Sequence, residues 1–385
     1  MILLNLQTPG EKEKQWIEIK KDKIHAMDGL KNNKKSKDNA VFEFDNAIAF
    51  PGLINSHDHL EFSLFPKLGN KKYEDYVVWG EDIHKTNADI IEKIKRIPRE
   101  LRVEYGVYKN ILGGVTTVVH HGNFRLHKNY PIDVYTNYNY LHSVKLEKKW
   151  RIKINLTPNK RPFLIHIGEG TNKESKNEID ELIRWNYFHR KIIGIHGIMM
   201  DARQANLFDA LIWCPVSNYF LYGSTARIDN LKYETEILFG TDSNLSSEWN
   251  IWEHLRVARM TKLLTDQELF NALTSVAAKI WKLNDKGFLS PGYKADIVVA
   301  GKKSEYFLNS FYALDAEDIL MVIKNGKIIL FDSELTDQIK TSQEDLTCFN
   351  RIESGNSNKF VRGNFAGLCN NIKNFAPDIY LPFGL

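Results

Sequence analysis

The chain has 385 residues, 43% of them apolar, a formal net charge of +4 and three cysteines. That length suits one large barrel of ~250 residues with a small accessory domain, while no apolar run approaches the ~20 residues of a membrane span. So mild a charge, without interleaved aromatic and basic motifs, argues against a nucleic-acid partner, and three cysteines make no disulfide framework. A reducing cytoplasm is therefore expected, with a homodimer left open.

Residues 1–6 read as a strand and lack the basic and small-residue segments of a signal peptide. Residues 16–20 alternate, 21–23 turn and 24–27 continue, and the basic run 31–37 reads as a solvated loop. Pro51-Gly52-Leu53-Ile54-Asn55-Ser56-His57-Asp58-His59 is an apolar strand ending in two histidines one residue apart. A strand's period of two puts both imidazoles on one side of its end, which is half of a transition-metal site. A long loop follows, in which Tyr76, Trp79 and His84 form a candidate lid that stacks on a planar substrate.

A helix is predicted over residues 90–112, followed by the strand GGVTTVVHH at 113–121. The interval from 121 to 163 should hold two barrel strands and their helices, yet only 132–141 reads as a strand. Three more apolar runs then end in ligand-type residues: 163–169 with His166 and Glu169, 192–196 with His196, and 237–242 with Asp242. Cys214 reads as a small buried hydrophobe, and Asn218 as the end of a seventh strand whose amide positions its loop. The clearest helix is 266–283, with Thr265 and Glu268 as a capping box and Leu269, Leu273, Val276, Ile280 and Leu283 on one face. Strands at 295–300, 319–323 and 328–330 close the pattern, the last two flanking Asn325-Gly326, a type I′ hairpin signal. His25, His127, His189 and His254 read as surface or packing residues.

The strands at the two ends pair most simply into one β-sandwich. The expected domains are 1–49 with 285–335 as that sandwich, 50–284 as a metal-binding barrel, and 336–385 as a tail. The tail's apolar end, 379–385, would be unusual left in water, so docking on the barrel or on a partner subunit is expected. The fold class is α/β: a (β/α)8 TIM-like barrel, distorted around strands 3 and 4, with a small β-sandwich built from both ends of the chain.

The ordered motifs PGLINSHDH (51–59), GGVTTVVHH (113–121), HIGE (166–169), IHG (195–197), CPVSN (214–218), GTDSN (240–244) and GFLSPGYKADIVV (287–299) span about two thirds of the chain. In this order they resemble the amidohydrolase superfamily, in the branch of cytosine and guanine deaminases, S-adenosylhomocysteine-type deaminases and triazine hydrolases. The resemblance implies one divalent metal, zinc by preference and iron as the alternative, held by His57, His59, His166 and Asp242. It further implies Glu169 as the group that moves a proton between water and a substrate ring nitrogen. Asp242 would accept a proton from the water, and His196 would hydrogen-bond the attacking water or the developing oxyanion.

Glu61, His121 and His142 join Trp79 as candidate substrate contacts, with a salt bridge for Glu61 and a surface position for His142 as the plain alternatives. The expected reaction is hydrolysis of a non-peptide C–N bond, by deamination of a small nitrogen heterocycle. The alternative is a cyclic amidohydrolase that opens a lactam or imidazolone-like ring. A binuclear version would need a carboxylated lysine, for which Lys145, Lys149 and Lys153 are candidates.

Overall fold

The computed structural model of the chain describes residues 1–29, 40–122, 130–158, 160–342 and 344–384, so the basic run at 31–37, His127 and Leu385 lie outside the described residues. At the centre, eight short strands stand in two parallel arcs. β1 (Leu53–Asp58), β2 (Val115–His120) and β3 (Asp133–Tyr135) make the first. β4 (Asn139–Ser143), β5 (Phe163–Ile167), β6 (Ile192–His196), β7 (Ala210–Trp213) and β8 (Glu236–Phe239) make the second. β1, β2, β5, β6 and β7 are buried at every position, which is why they read as continuous apolar runs rather than alternating ones. The arcs close into a TIM-like barrel just past β8, where the N–H groups of Thr241 and Asp242 both donate to the His57 carbonyl at 3.0 Å.

The distortion expected near strands 3 and 4 has a definite form. Only Thr136, Asn137 and Tyr138 separate β3 from β4, so no helix intervenes, and no ladder joins the two strands. Tyr138 covers this seam, its ring buried and its hydroxyl donating to the His120 carbonyl.

Beneath the barrel lies a nine-stranded sheet drawn from both ends of the chain. Its central strand, Ile297–Gly301, pairs antiparallel with Val41–Pro51, which in turn pairs in parallel with Ile2–Gln7. Asn325 and Gly326 turn the hairpin between Ile319–Lys324 and Lys327–Asp332 with positive φ at both residues (49° and 73°). A side chain on Gly326 would overlap the Lys21 carbonyl. The tail adds two further strands, Phe349–Ser354 and Ser357–Arg362, and a helix, Phe365–Phe375. Phe383 then stacks on Tyr105 at 4.4 Å between ring centroids, and its carbonyl accepts the Tyr105 hydroxyl at 3.0 Å.

Two helices differ from the sequence reading. The run 90–112 is split into Ala88–Lys95 and Arg99–Leu112, because Pro98 supplies no N–H and disfavours helix at the residue before it. The run 266–283 keeps its Thr265–Glu268 capping box but divides into Asp266–Ala272 and Ser275–Ile280. At that break the Leu273 carbonyl accepts the Ile54 N–H of β1 at 2.8 Å, so the barrel strand takes the bond that would have continued the helix. Among the described residues, no helix is long and apolar enough to cross a membrane.

Candidate metal centre

The chain leaves β1, β5, β6 and β8 on one rim, and their terminal side chains converge there. His57 Nε2 lies 3.4 Å and His59 Nε2 3.6 Å from Asp242 Oδ1, and His59 Nε2 lies 3.4 Å from His166 Nε2. Burial holds the His57 imidazole below its usual range and those of His59 and His166 well below it. Burial thus favours their neutral form, the state in which a histidine ligates. Burial alone would keep Asp242 protonated, but His57, His196 and His59 around it hold its carboxyl well below the usual range.

His166 Nδ1 lies 3.0 Å from the His142 carbonyl and so carries the hydrogen, which leaves the Nε2 lone pair facing the cluster. Both ring nitrogens of His57 are buried without a hydrogen-bond partner. Buried polar atoms are rarely left so, and neutral imidazoles with a carboxylate at this spacing fit a divalent ion. His196 and Asp242 both hold left-handed backbone, with φ of 72° and 58°. Such strain in non-glycine residues costs about 1–3 kcal/mol each and gathers at functional sites.

A short helix after β7, Pro215–Tyr222, supports three of these groups at once. Ser217 Oγ donates to Asp242 Oδ2 at 2.6 Å, Asn218 Oδ1 accepts from His196 Nδ1 at 2.8 Å, and Tyr222 Oη donates to Glu169 Oε1 at 2.8 Å. Residues 218 and 222 share a helix face by their spacing of four. Asn218 thus belongs to a helix rather than to a strand end; its Oδ1 orients His196, while its amide donates to Thr225 Oγ1 in the following loop at 3.0 Å. Ser217 and Tyr222 escaped the sequence reading, although Pro215 at the first turn and Gly223 just past the last bracket the helix legibly. Glu169 is buried, and desolvation pushes its pKa up to about 7 against the opposing pull of His196, whose Nε2 lies 3.6 Å away.

Asp58 lies on the opposite face of β1 from its two histidine neighbours. It accepts from Lys109 Nζ at 2.9 Å and from Asn110 Nδ2 at 2.8 Å, and both donors sit on the helix Arg99–Leu112. This buried pair anchors the strand that presents His57 and His59, and sequence reasoning missed it because the helix partner is remote in the chain.

The remaining candidates fall in different places. His121 is buried beside His57, His59 and His166, with ring centroids 5.2, 5.4 and 4.5 Å away, so it joins the imidazole cluster itself. His120 faces the other way, its Nδ1 lying 3.7 Å from Glu61 Oε2. His142 reaches the cluster through its carbonyl, while its ring is half-buried 5.3 Å from that of His166. Tyr76, Trp79 and His84 lie on a helix, Tyr76–Thr86, and not on a loop. Asp75 caps that helix and is tied to Lys145 Nζ at 2.6 Å. Tyr76 is buried and faces Glu178, His84 is exposed, and Trp79 packs against the patch of Tyr73, Ile198, Leu221 and Tyr222. Of the three lysine candidates, Lys145 pairs with Asp75, Lys153 pairs with Glu147, and Lys149 is exposed.

Residues 158–329, which carry His166, Glu169, His196 and Asp242, match the model of the Amidohydrolase family. A 5-methylthioadenosine/S-adenosylhomocysteine deaminase of Carboxydothermus hydrogenoformans is 24% identical over 363 residues, covering 77% of this chain and 84% of the relative. Among solved structures, an adenosine deaminase of Xanthomonas campestris with bound zinc superposes with a TM-score of 0.73 at 14% identity, over 98% of each chain. An atrazine chlorohydrolase of Arthrobacter aurescens complexed with zinc gives 0.65 at 15% identity, over 85% of this chain and 94% of that one. The barrel and its flanking sheet are therefore shared nearly end to end with the first of these structures.

Proposed function

We propose that the chain is a metal-dependent aminohydrolase that removes an exocyclic amino group from a small nitrogen heterocycle and releases ammonia. The observation that carries this reading is the buried Glu169, fixed by Tyr222 beside His196 at the edge of the His57, His59, His166 and Asp242 cluster. His57, His59, His166 and Asp242 would hold one divalent ion, for which zinc, the ion bound in two structurally similar enzymes, is the first choice. When bound, such an ion supplies the Lewis acidity that makes water nucleophilic at neutral pH.

The chain's own residues handle the protons. His196 donates its Nδ1 hydrogen to Asn218, and its Nε2, 3.6 Å from Glu169 Oε1, would hydrogen-bond the attacking water or the developing oxyanion. Glu169, with a pKa near 7, is poised between its two protonation states. It can pass a proton to a ring nitrogen of the substrate and recover one from water. That step matters because an aromatic amidine carbon is a poor electrophile until its ring nitrogen is protonated. Ser217 and Ser246 both donate to Asp242 Oδ2, which leaves Oδ1 turned to His57 and His59.

Adenine nucleosides are the first substrates to try, since the sequence relatives are named for 5′-methylthioadenosine and S-adenosylhomocysteine. Three unpaired cysteines suit a reducing cytoplasm. The test follows ammonia and product mass together on zinc-loaded enzyme. Ammonia equal to substrate consumed, with oxygen replacing NH in the product, supports the reading. A product one water heavier without ammonia would move the assignment to ring opening.

A further inference from the structure

We infer that His121 is a fifth protein ligand to the ion, so that the cage is four imidazoles and one carboxylate. The inference rests on the proposed metal site and deepens it. Among the described residues, two groups of four offer ligand atoms that all lie within 4.8 Å of one another. One is His57, His166, His196 and Asp242; the other is His57, His59, His121 and His166. The second group holds no charged side chain, and its fourth member comes from the end of β2.

Three details mark His121 as more than a packed side chain. It is 1% exposed, and its Nδ1 is buried without a hydrogen-bond partner. Its Nε2 lies 3.2 Å from the Leu141 carbonyl, so the ring hydrogen sits there and the Nδ1 lone pair is left unused. Ligating histidines commonly show this arrangement, with one nitrogen donating to a backbone carbonyl and the other free for the ion; His166 has it too, with its nitrogens exchanged. Finally, the His121 N–H donates to the Asp58 carbonyl at 2.9 Å, which pins its backbone beside the residue between His57 and His59. A substrate contact would need His121 to face open space, whereas its ring is hemmed in by three imidazoles.

Five protein donors with four nitrogens suit a first-row divalent ion of coordination number above four, with room for one exchangeable ligand. The four-donor alternative, with the same exchangeable ligand, leaves a five-coordinate ion. X-ray absorption of the metal-loaded full chain needs no variant and counts imidazoles directly, and four are expected. Cobalt-loaded protein should show the weak visible absorption of a six-coordinate ion. His121→Ala and the bulkier His121→Asn, checked for folding by circular dichroism in chelator, should then raise it toward the stronger absorption of a five-coordinate ion. Metal affinity by chelator competition should fall by more than ~100-fold, beyond the range typical of outer-shell partners. Three imidazoles in the wild-type absorption edge, or unchanged affinity and cobalt spectrum in a folded variant, would overturn the assignment of His121 and leave the proposed function standing. A wild-type chain that binds no divalent ion would overturn both.

Discussion

Glu169 is the residue whose chemistry and burial are most tightly joined. Substituting Gln keeps its volume and one acceptor but removes the transferable proton. Glu169→Gln should retain its metal, measured by elemental analysis, and lose about 10²–10⁴-fold in turnover. Loss of the metal instead would make Glu169 a ligand. Lys109 tests a different quantity. It is 3% exposed and pairs with the fully buried Asp58, so Lys109→Met leaves an uncompensated carboxylate beneath the site. Denaturant unfolding should show a loss of about 3–5 kcal/mol. At this scale the ligand-type residues were legible because each closes an apolar run, whereas Lys109, Ser217 and Tyr222 were not. Their roles depend on which element folds against which, and nothing in their local sequence states that.

Among the elements, the helix Pro215–Tyr222 concentrates the most function in the fewest residues. The Tyr222 hydroxyl stabilises the ionised form of Glu169 and so lowers its pKa. Tyr222→Phe removes that bond. The limb of the pH–rate profile that belongs to Glu169 should therefore move upward from about 7, with metal content unchanged. A profile identical to wild type would detach Tyr222 from the proton path. The element scale also shows where pattern reading fails. Residues 266–283 carry one continuous apolar face, yet the Leu273 carbonyl is claimed by Ile54 of β1, a demand from outside the helix. Pro98, by contrast, is a break visible in the sequence that the single helix predicted over 90–112 passes over. Between β3 and β4 the difficulty lay in the chain itself, where three residues stand in the place of a helical connection.

Over the whole molecule, the sheet built from both chain ends was readable because neither half could bury a face alone, and Asn325-Gly326 marked its hairpin. The strands at 349–362 went unread: in a segment rich in polar residues they lack a strong alternating signal. Phe383 returns the chain to the barrel wall and is 2% exposed. Phe383→Ala should cost about 3–5 kcal/mol, read as a lowered melting temperature, with turnover at room temperature little changed. An unchanged melting temperature would show that the stacking on Tyr105 carries no weight.

The closure of the barrel and its chemistry occupy the same few atoms. His57 and His59 lie at the end of the first strand and Asp242 follows the last, while Asp58 and Asp242 form an isolated bridge between them. An ion gripped by these residues is thus a clasp on the hoop, and its concentration sets how readily the hoop springs open. At a thousandfold excess over the dissociation constant, the clasp adds about 4.1 kcal/mol to the resistance against unfolding. Chelation should therefore quicken hydrogen exchange first at the amides of Thr241 and Asp242, whose bonds to His57 form the seal, and only later in the nine-stranded sheet.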